Sequence, residues 1–354
     1  MSKALVDKKK REDISKKILN LFKKKGFNYI DLDIVIDTDL LTQRSGEAFK
    51  KYALNFKDKS GKEISLRPDL TIATAIQYIQ NKKKGVGKFS YFGSAFRLNK
   101  KRDLSVFDQI GCEIINSKTS PEFLILSTIM SVFQKLKKTE IVINDLALFQ
   151  NLINSLDLPR RWKLRLIRHR SRKEYFDELL RRLDTNYDLD NEKIKIDYDR
   201  LTELKKMDIN KIIGGRTVEE IIERFEKKIK DPRDNFRGSH SVKIIKDFLR
   251  LKAPLSKSTY KLKNFFEKNN LKIKDLSTSI LKLNDFNRKF GSRYTISFNA
   301  KFGRETQYYT GIAFAVHKQK KELARGGEYN NLIKTLGGKQ TSAFGAAINL
   351  NELK

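Results

Sequence analysis

The stretch SYFGSAFRLNKKRDLSVFDQIGCEIIN, residues 90–116, decides how this chain is read. It has the form of two strands joined by a charged loop at 99–103. Side chains alternate across a strand, so Gly93, Ala95 and Arg97 share one face and Phe92, Ser94, Phe96 and Leu98 the other. In the second strand Gln109, Gly111 and Glu113 oppose Ile110, Cys112 and Ile114. One side of the hairpin is bulky and apolar. The other is nearly bare, rimmed by Arg97, Gln109 and Glu113. A solvent-facing strand has no need of Gly or Ala, whereas glycine within a strand often marks close approach by a ligand or another backbone. Two readings fit. The bare face is a pocket floor for a small zwitterion, with arginine for a carboxylate, glutamate for an ammonium and glutamine for a polar group. Alternatively, the hairpin is twisted and packed on a neighbouring helix. On the first reading Glu113 projects its carboxylate over an open floor, away from the core.

The same signature recurs further along. In 311–316 Gly311, Ala313 and Ala315 oppose Ile312, Phe314 and Val316. In 343–350 Ala343, Gly345, Ala347 and Asn349 oppose Phe344, Ala346, Ile348 and Leu350. Strands are also expected at 294–299 (YTISFN) and 140–144 (EIVIN). Shared large-residue and small-residue faces predict one antiparallel sheet, with helices on the large side and a ligand groove on the small side.

Around this sheet the chain reads in order. An amphipathic helix at 14–27 is closed by Gly26. A strand follows at 31–37, then a polar loop at 39–49, and a hairpin turns at 58–61. The segment Arg67-Pro68-Asp69-Leu70-Thr71 breaks the second hairpin strand. Proline holds Arg67 extended, and Asp69 and Thr71 stand at a strand-to-helix corner, where Asp69 can cap the helix 70–80. A helix spans 121–137. From 147 to about 290 the text is helical and highly charged, with loops at 184–190 and 232–240. The division expected is 1–150 for the first part of the core, 151–285 for a helical insertion or subdomain, and 286–354 for the closing strands.

Composition narrows the classes. Of 354 residues, 75 are Lys or Arg and 43 Asp or Glu, a net charge of +32. That excess suits nucleic acid, anionic lipid or an acidic partner. A lysine-rich bias spread over the whole length explains it equally well. Basic residues concentrate only at 160–173 (RRWKLRLIRHRSRK), where Trp162, Leu164, Leu166 and Ile167 can form a buried stripe and the arginines a solvated face. Cys112 is the single cysteine, which excludes a disulfide framework and a thiolate metal site. No apolar run has the length of a membrane span, and the first residues lack a signal core, so a cytoplasmic protein is expected.

Six motifs in order, LRPDLT (66–71), YFGSAFR (91–97), QIGCEI (109–114), GRETQYYTG (303–311), GGEYNNL (326–332) and AFGAAINL (343–350), resemble the histidyl-tRNA synthetases. They also resemble the non-catalytic relative of those enzymes, the regulatory subunit of ATP phosphoribosyltransferase. The resemblance covers about 10–150 and 285–354. It implies an α+β fold of the class II aminoacyl-tRNA synthetase type, an antiparallel sheet flanked by helices, commonly dimeric. Carried over by position, a histidine pocket would use Asp69, Thr71, Arg97, Gln109, Glu113, Arg304, Tyr308 and Tyr309. Arg97 takes the place of the motif 2 arginine. A carboxylate pair can hold an ammonium or an imidazole N–H, and arginine can grip a carboxylate bidentately.

Departures separate the two relatives. Where synthetases carry an ATP-clamping arginine after the last glycine-rich strand, this sequence has Glu352, and a carboxylate repels a triphosphate. The sequence ends at Lys354, directly after the last expected strand, so no anticodon-binding domain is expected. Gln307 replaces an acid and Glu328 an arginine, which touches ligand recognition. The resemblance therefore implies a regulatory subunit of the first enzyme of histidine biosynthesis, without catalytic residues, cofactor or metal. Its partners would be the short catalytic subunit and histidine, the latter as feedback signal, and it would stand as a homodimer within a hetero-oligomer. Two alternatives stay open: a truncated histidyl-tRNA synthetase-like enzyme, and a synthetase paralogue that binds RNA through 160–173, with nucleic acid the less favoured partner.

Overall fold

A computed structural model of the chain describes residues 3–38, 53–81, 85–99, 103–136, 138–185, 191–213, 216–230, 235–271 and 276–353. The loop expected at 39–49 lies outside them, as do 100–102 of the hairpin loop and parts of the loops at 184–190 and 232–240.

The hairpin forms as its alternation requires. Strands Gly87–Leu98 and Leu104–Ile115 pair antiparallel, with Tyr91 opposite Gly111, Gly93 opposite Gln109 and Arg97 opposite Ser105. Among the described residues they belong to a nine-stranded sheet. Its order is Asn28–Tyr29, Gly87–Leu98, Leu104–Ile115, Ala343–Asn349, Lys321–Glu328, Ile312–Lys318, Thr139–Asp145, Thr295–Asn299 and Lys252–Pro254. The sheet is mixed, where a purely antiparallel one was expected. Asn28–Tyr29 runs parallel to Gly87–Leu98, and Thr295–Asn299 runs parallel to Thr139–Asp145. Helical segments link each of these pairs, and such crossovers are what a parallel pairing needs.

The strand Lys321–Glu328 is absent from the sequence-based reading. KELARGGE offers no clean apolar alternation, yet it pairs on both edges, with Ile312–Lys318 and with Ala343–Asn349. Its flanking strands supply the order that its own side chains do not signal.

The large-residue face is buried as expected. Ile110, Cys112, Ile114, Phe314, Phe344 and Ile348 lie in one hydrophobic cluster with the helices Pro121–Val132 and Leu276–Phe290. That cluster continues through Phe149, Trp162, Phe176 and Phe248, so the helical stretch packs onto the same core as the sheet. The small-residue face is covered too. Helix Leu70–Gln80 buries Leu70, Ile72 and Ala75 against Tyr91, Ala95 and Ala313. Asp69 caps this helix, its side chain accepting from the Thr71 N–H at 2.7 Å. Gly26 ends the first helix, Lys3–Lys24, with φ of 87°, a conformation that costs glycine least.

Candidate functional site

The small-residue face is not an open floor. Glu113 has no exposed surface, and its carboxylate accepts three hydroxyl hydrogen bonds. Thr71 Oγ1 and Tyr91 Oη donate to Oε1, each at 2.8 Å, and Tyr329 Oη donates to Oε2 at 2.7 Å. The expectation that Glu113 projects over empty space is thus corrected. The glycines make room for the protein's own side chains. A Cβ on Gly345 would stand 1.3 Å from Glu113 Oε2, and one on Gly111 would stand 2.4 Å from Tyr91 Oη. A Cβ on Gly93 would stand 2.2 Å from an Arg67 guanidinium nitrogen. A small residue in a strand announces close approach, but its identity as ligand or neighbouring side chain is set elsewhere.

Burial pushes the Glu113 carboxyl up to about 7, and nearby Asp69 adds to the rise; the three hydroxyls act in the opposite direction. Thr71 joins the two carboxylates, since its N–H binds Asp69 and its hydroxyl binds Glu113. Asp69 also accepts from Tyr308 Oη at 3.0 Å and from Arg97 Nη2 at 3.0 Å. Arg97 is steadied by Nε donating to the Pro68 carbonyl at 2.7 Å and by the Phe107 ring beneath it. Asp69, Thr71, Arg97, Glu113 and Tyr308 therefore form one connected polar network between the sheet and helix Leu70–Gln80. With two carboxylates and one arginine, it suits a cationic nitrogen better than an anion.

The other expected residues stand apart from this network. The Gln109 side-chain oxygen is buried on the same sheet face without a hydrogen-bond partner among the described residues. The Tyr309 ring lies over Gly327, 3.0 Å from where that residue's Cβ would be. Arg304 bonds to none of the network. Its guanidinium is sandwiched between Phe149 and Phe176, at 4.7 and 4.3 Å from the ring centroids, and its Nη2 donates to the Arg170 carbonyl at 3.2 Å. Burial pushes it down to about 10, with Arg170 as the next cause.

Sequence reading missed Tyr91 and Tyr329, the two phenols on Glu113. Tyr91 was legible, because the alternation that places Gly93 and Ala95 on one face places Tyr91 there too. Tyr329 was not, because the strand that it directly follows, Lys321–Glu328, was not recognised. Glu352 makes an ion pair with Lys321 at 2.9 Å. Beyond the network lies a cavity of about 350 Å³, bounded by Tyr308, Tyr309 and Arg170 among others. Among the described residues no group of three or more His, Cys, Asp or Glu could hold a metal ion, and no helix is long and apolar enough to cross a membrane.

The sheet, its order and the polar network on its small-residue face define a class II synthetase-like protein. The family model described as histidyl-tRNA synthetase matches residues 5–353, and the chain belongs to that family. Among curated relatives, an ATP phosphoribosyltransferase regulatory subunit from Allorhizobium ampelinum is 24% identical, covering 93% of this chain and 93% of its own length. A histidine–tRNA ligase from Methanocaldococcus jannaschii is 26% identical, covering 98% of this chain and 71% of its own. A crystal structure of an ATP phosphoribosyltransferase regulatory subunit/histidyl-tRNA synthetase from Bacillus halodurans superposes with a TM-score of 0.64 over 97% of this chain and 78% of that one, at 14% identity.

Proposed function

We propose that this chain is a non-catalytic regulatory subunit of ATP phosphoribosyltransferase. It binds histidine on the small-residue face and supports a short catalytic subunit. One contrast carries the reading: the amino-acid half of the site is a complete polar network, whereas the position of an ATP-clamping arginine holds Glu352, paired with Lys321. The floor further along the same sheet face is also acidic. Arg325 there is neutralised by Glu322 and Glu305, which leaves no free guanidinium for a phosphate at that position.

In this reading Asp69 and Glu113 take the cationic groups of histidine, the ligand displacing hydroxyls that occupy the buried Glu113 carboxylate in the free protein. Thr71 holds both carboxylates in register, Tyr308 positions Asp69, and Arg97 and Gln109 complete the polar lining. Arg304 and Tyr309 act from the wall behind. Histidine stabilises one assembly state over another, and the coupling is reciprocal. The protein works in the cytoplasm, as a homodimer within a hetero-oligomer.

The test is reconstitution. Alone, the protein transfers no phosphoribosyl group. Mixed with the short catalytic subunit it forms a complex on a sizing column and activity appears or rises, with histidine altering it. No complex and unchanged activity would overturn the assignment. The synthetase relatives favour a second reading, adenylate formation from histidine, and histidine-dependent ATP–pyrophosphate exchange by the purified chain would establish that one instead.

A further inference from the structure

Arg170 stands out among the buried and half-buried arginines. Arg67 has Asp31 and Asp33 near it, Arg325 has Glu322 and Glu305, and Arg97 has Asp69. Arg170 has no carboxylate partner among the described residues. Burial lowers its pKa and no neighbouring charge offsets that. Its Nη2 donates to the carbonyl oxygens of Gln307 and Tyr309, while its Nε is buried with no acceptor. Arg304 approaches from behind, its own Nε also buried and unpartnered, and adds a second positive charge. Removing a cation from water costs several kcal/mol unless a counter-charge replaces the lost hydration.

This arginine forms part of the wall of the cavity of about 350 Å³. Amides of Gln150, Gln307 and Asn331 line it as well, with the rings of Tyr308 and Tyr309 as apolar surface. Cavities that hold small molecules start at roughly 300 Å³ and combine apolar walls with a few convergent polar groups. Asp69, Thr71, Arg97, Gln109 and Glu113 do not line it; of the polar network only Tyr308 does, as a wall shared by the two.

We infer that this cavity is a second ligand site, for a small organic anion whose carboxylate or phosphate monoester is held by Arg170 and whose body lies on the tyrosine rings. The site is distinct from the proposed histidine site on the sheet but shares Tyr308 and Tyr309 with it. Its occupant would touch the Gln307–Tyr309 segment, and so bear on the tyrosine that positions Asp69.

The probes are benzoate and phenyl phosphate, with benzamide as the neutral isostere, titrated calorimetrically into the full chain at about 0.15 M salt, where exposed charges are screened within about 8 Å. At least one anion binds saturably at one equivalent, and benzamide does not. Which anion binds distinguishes the carboxylate source from the phosphate source. Arg170→Gln weakens that binding at least tenfold, about 1.4 kcal/mol. Thr335→Trp, which adds bulk at another lining position of the cavity, abolishes it while thermal unfolding stays cooperative. Arg165→Gln, on the preceding helix, leaves it unchanged. Binding that is unsaturable, shared by benzamide, insensitive to Thr335→Trp, or equally reduced by Arg165→Gln would overturn the site. Histidine titration of the same variants reads the sheet site separately.

Discussion

Glu113 offers the sharpest test, because its environment makes stability depend on pH in a direction opposite to that of an ordinary ion-paired carboxylate. In the unfolded chain it titrates near 4.5, and in the folded protein near 7. Below pH 4.5 both states hold the proton and the contribution to stability is complete. Between 4.5 and 7 the unfolded state loses its proton while the folded state keeps it, so folding is progressively disfavoured. Above 7 the loss levels off. At about 1.4 kcal/mol per pH unit the total is about 3 kcal/mol. Glu113→Gln retains the shape and two hydrogen-bonding atoms but cannot ionise. The measurement is denaturant unfolding of both proteins from pH 4.5 to 8.5. The wild type should lose up to about 3 kcal/mol relative to Glu113→Gln across that window, with the midpoint of the divergence between 4.5 and 7. Parallel curves would refute the reasoning, since they would mean that Glu113 titrates alike in the folded and unfolded chains. Three hydroxyls converge on the altered group, so the substitution also changes contacts inside the core.

Tyr329→Phe removes the donor on Glu113 Oε2 and should cost about 1.5–3 kcal/mol at pH 8, where the acceptor is charged, but less at pH 5; equal losses by chemical unfolding at both values would count against a charged acceptor. Gly345→Ala would place a Cβ within 1.3 Å of the Glu113 carboxylate and should destabilise by about 1–3 kcal/mol, read as a lowered unfolding midpoint with unchanged denaturant slope; a neutral effect would show that Glu113 moves freely. Changing Arg165, Arg168 and Arg172 together to Gln should shift stability by no more than about 1 kcal/mol, since Arg165 only stacks on Trp162 and meets Tyr175, and complex formation should persist; loss of the complex with the fold intact would place this face in a subunit interface.

Much of the frame was legible in single segments. The large–small alternation at 90–116, 311–316 and 343–350 set which face of each strand joins the apolar core, because side-chain direction along a strand is a local property of the pleat. The capping of helix Leu70–Gln80 by Asp69 is local for the same reason, its partner being two residues away. Nothing local distinguished an empty small-residue face from a filled one. The groups that close over Glu113 are 22, 42 and 216 residues from it in sequence. Periodicity says which way a side chain points, not what another segment brings to meet it. Arg304 shows the same limit. Its sequence position does not reveal that Phe149 and Phe176, contributed by helices within the charged middle stretch, sandwich its guanidinium. The strand Lys321–Glu328 became a strand through its two neighbours, and with it came Tyr329. Local stereochemistry encodes faces and caps within a few residues. Which faces meet, which polar groups lose water and which carboxylate keeps its proton depend on contacts made only when distant segments pack.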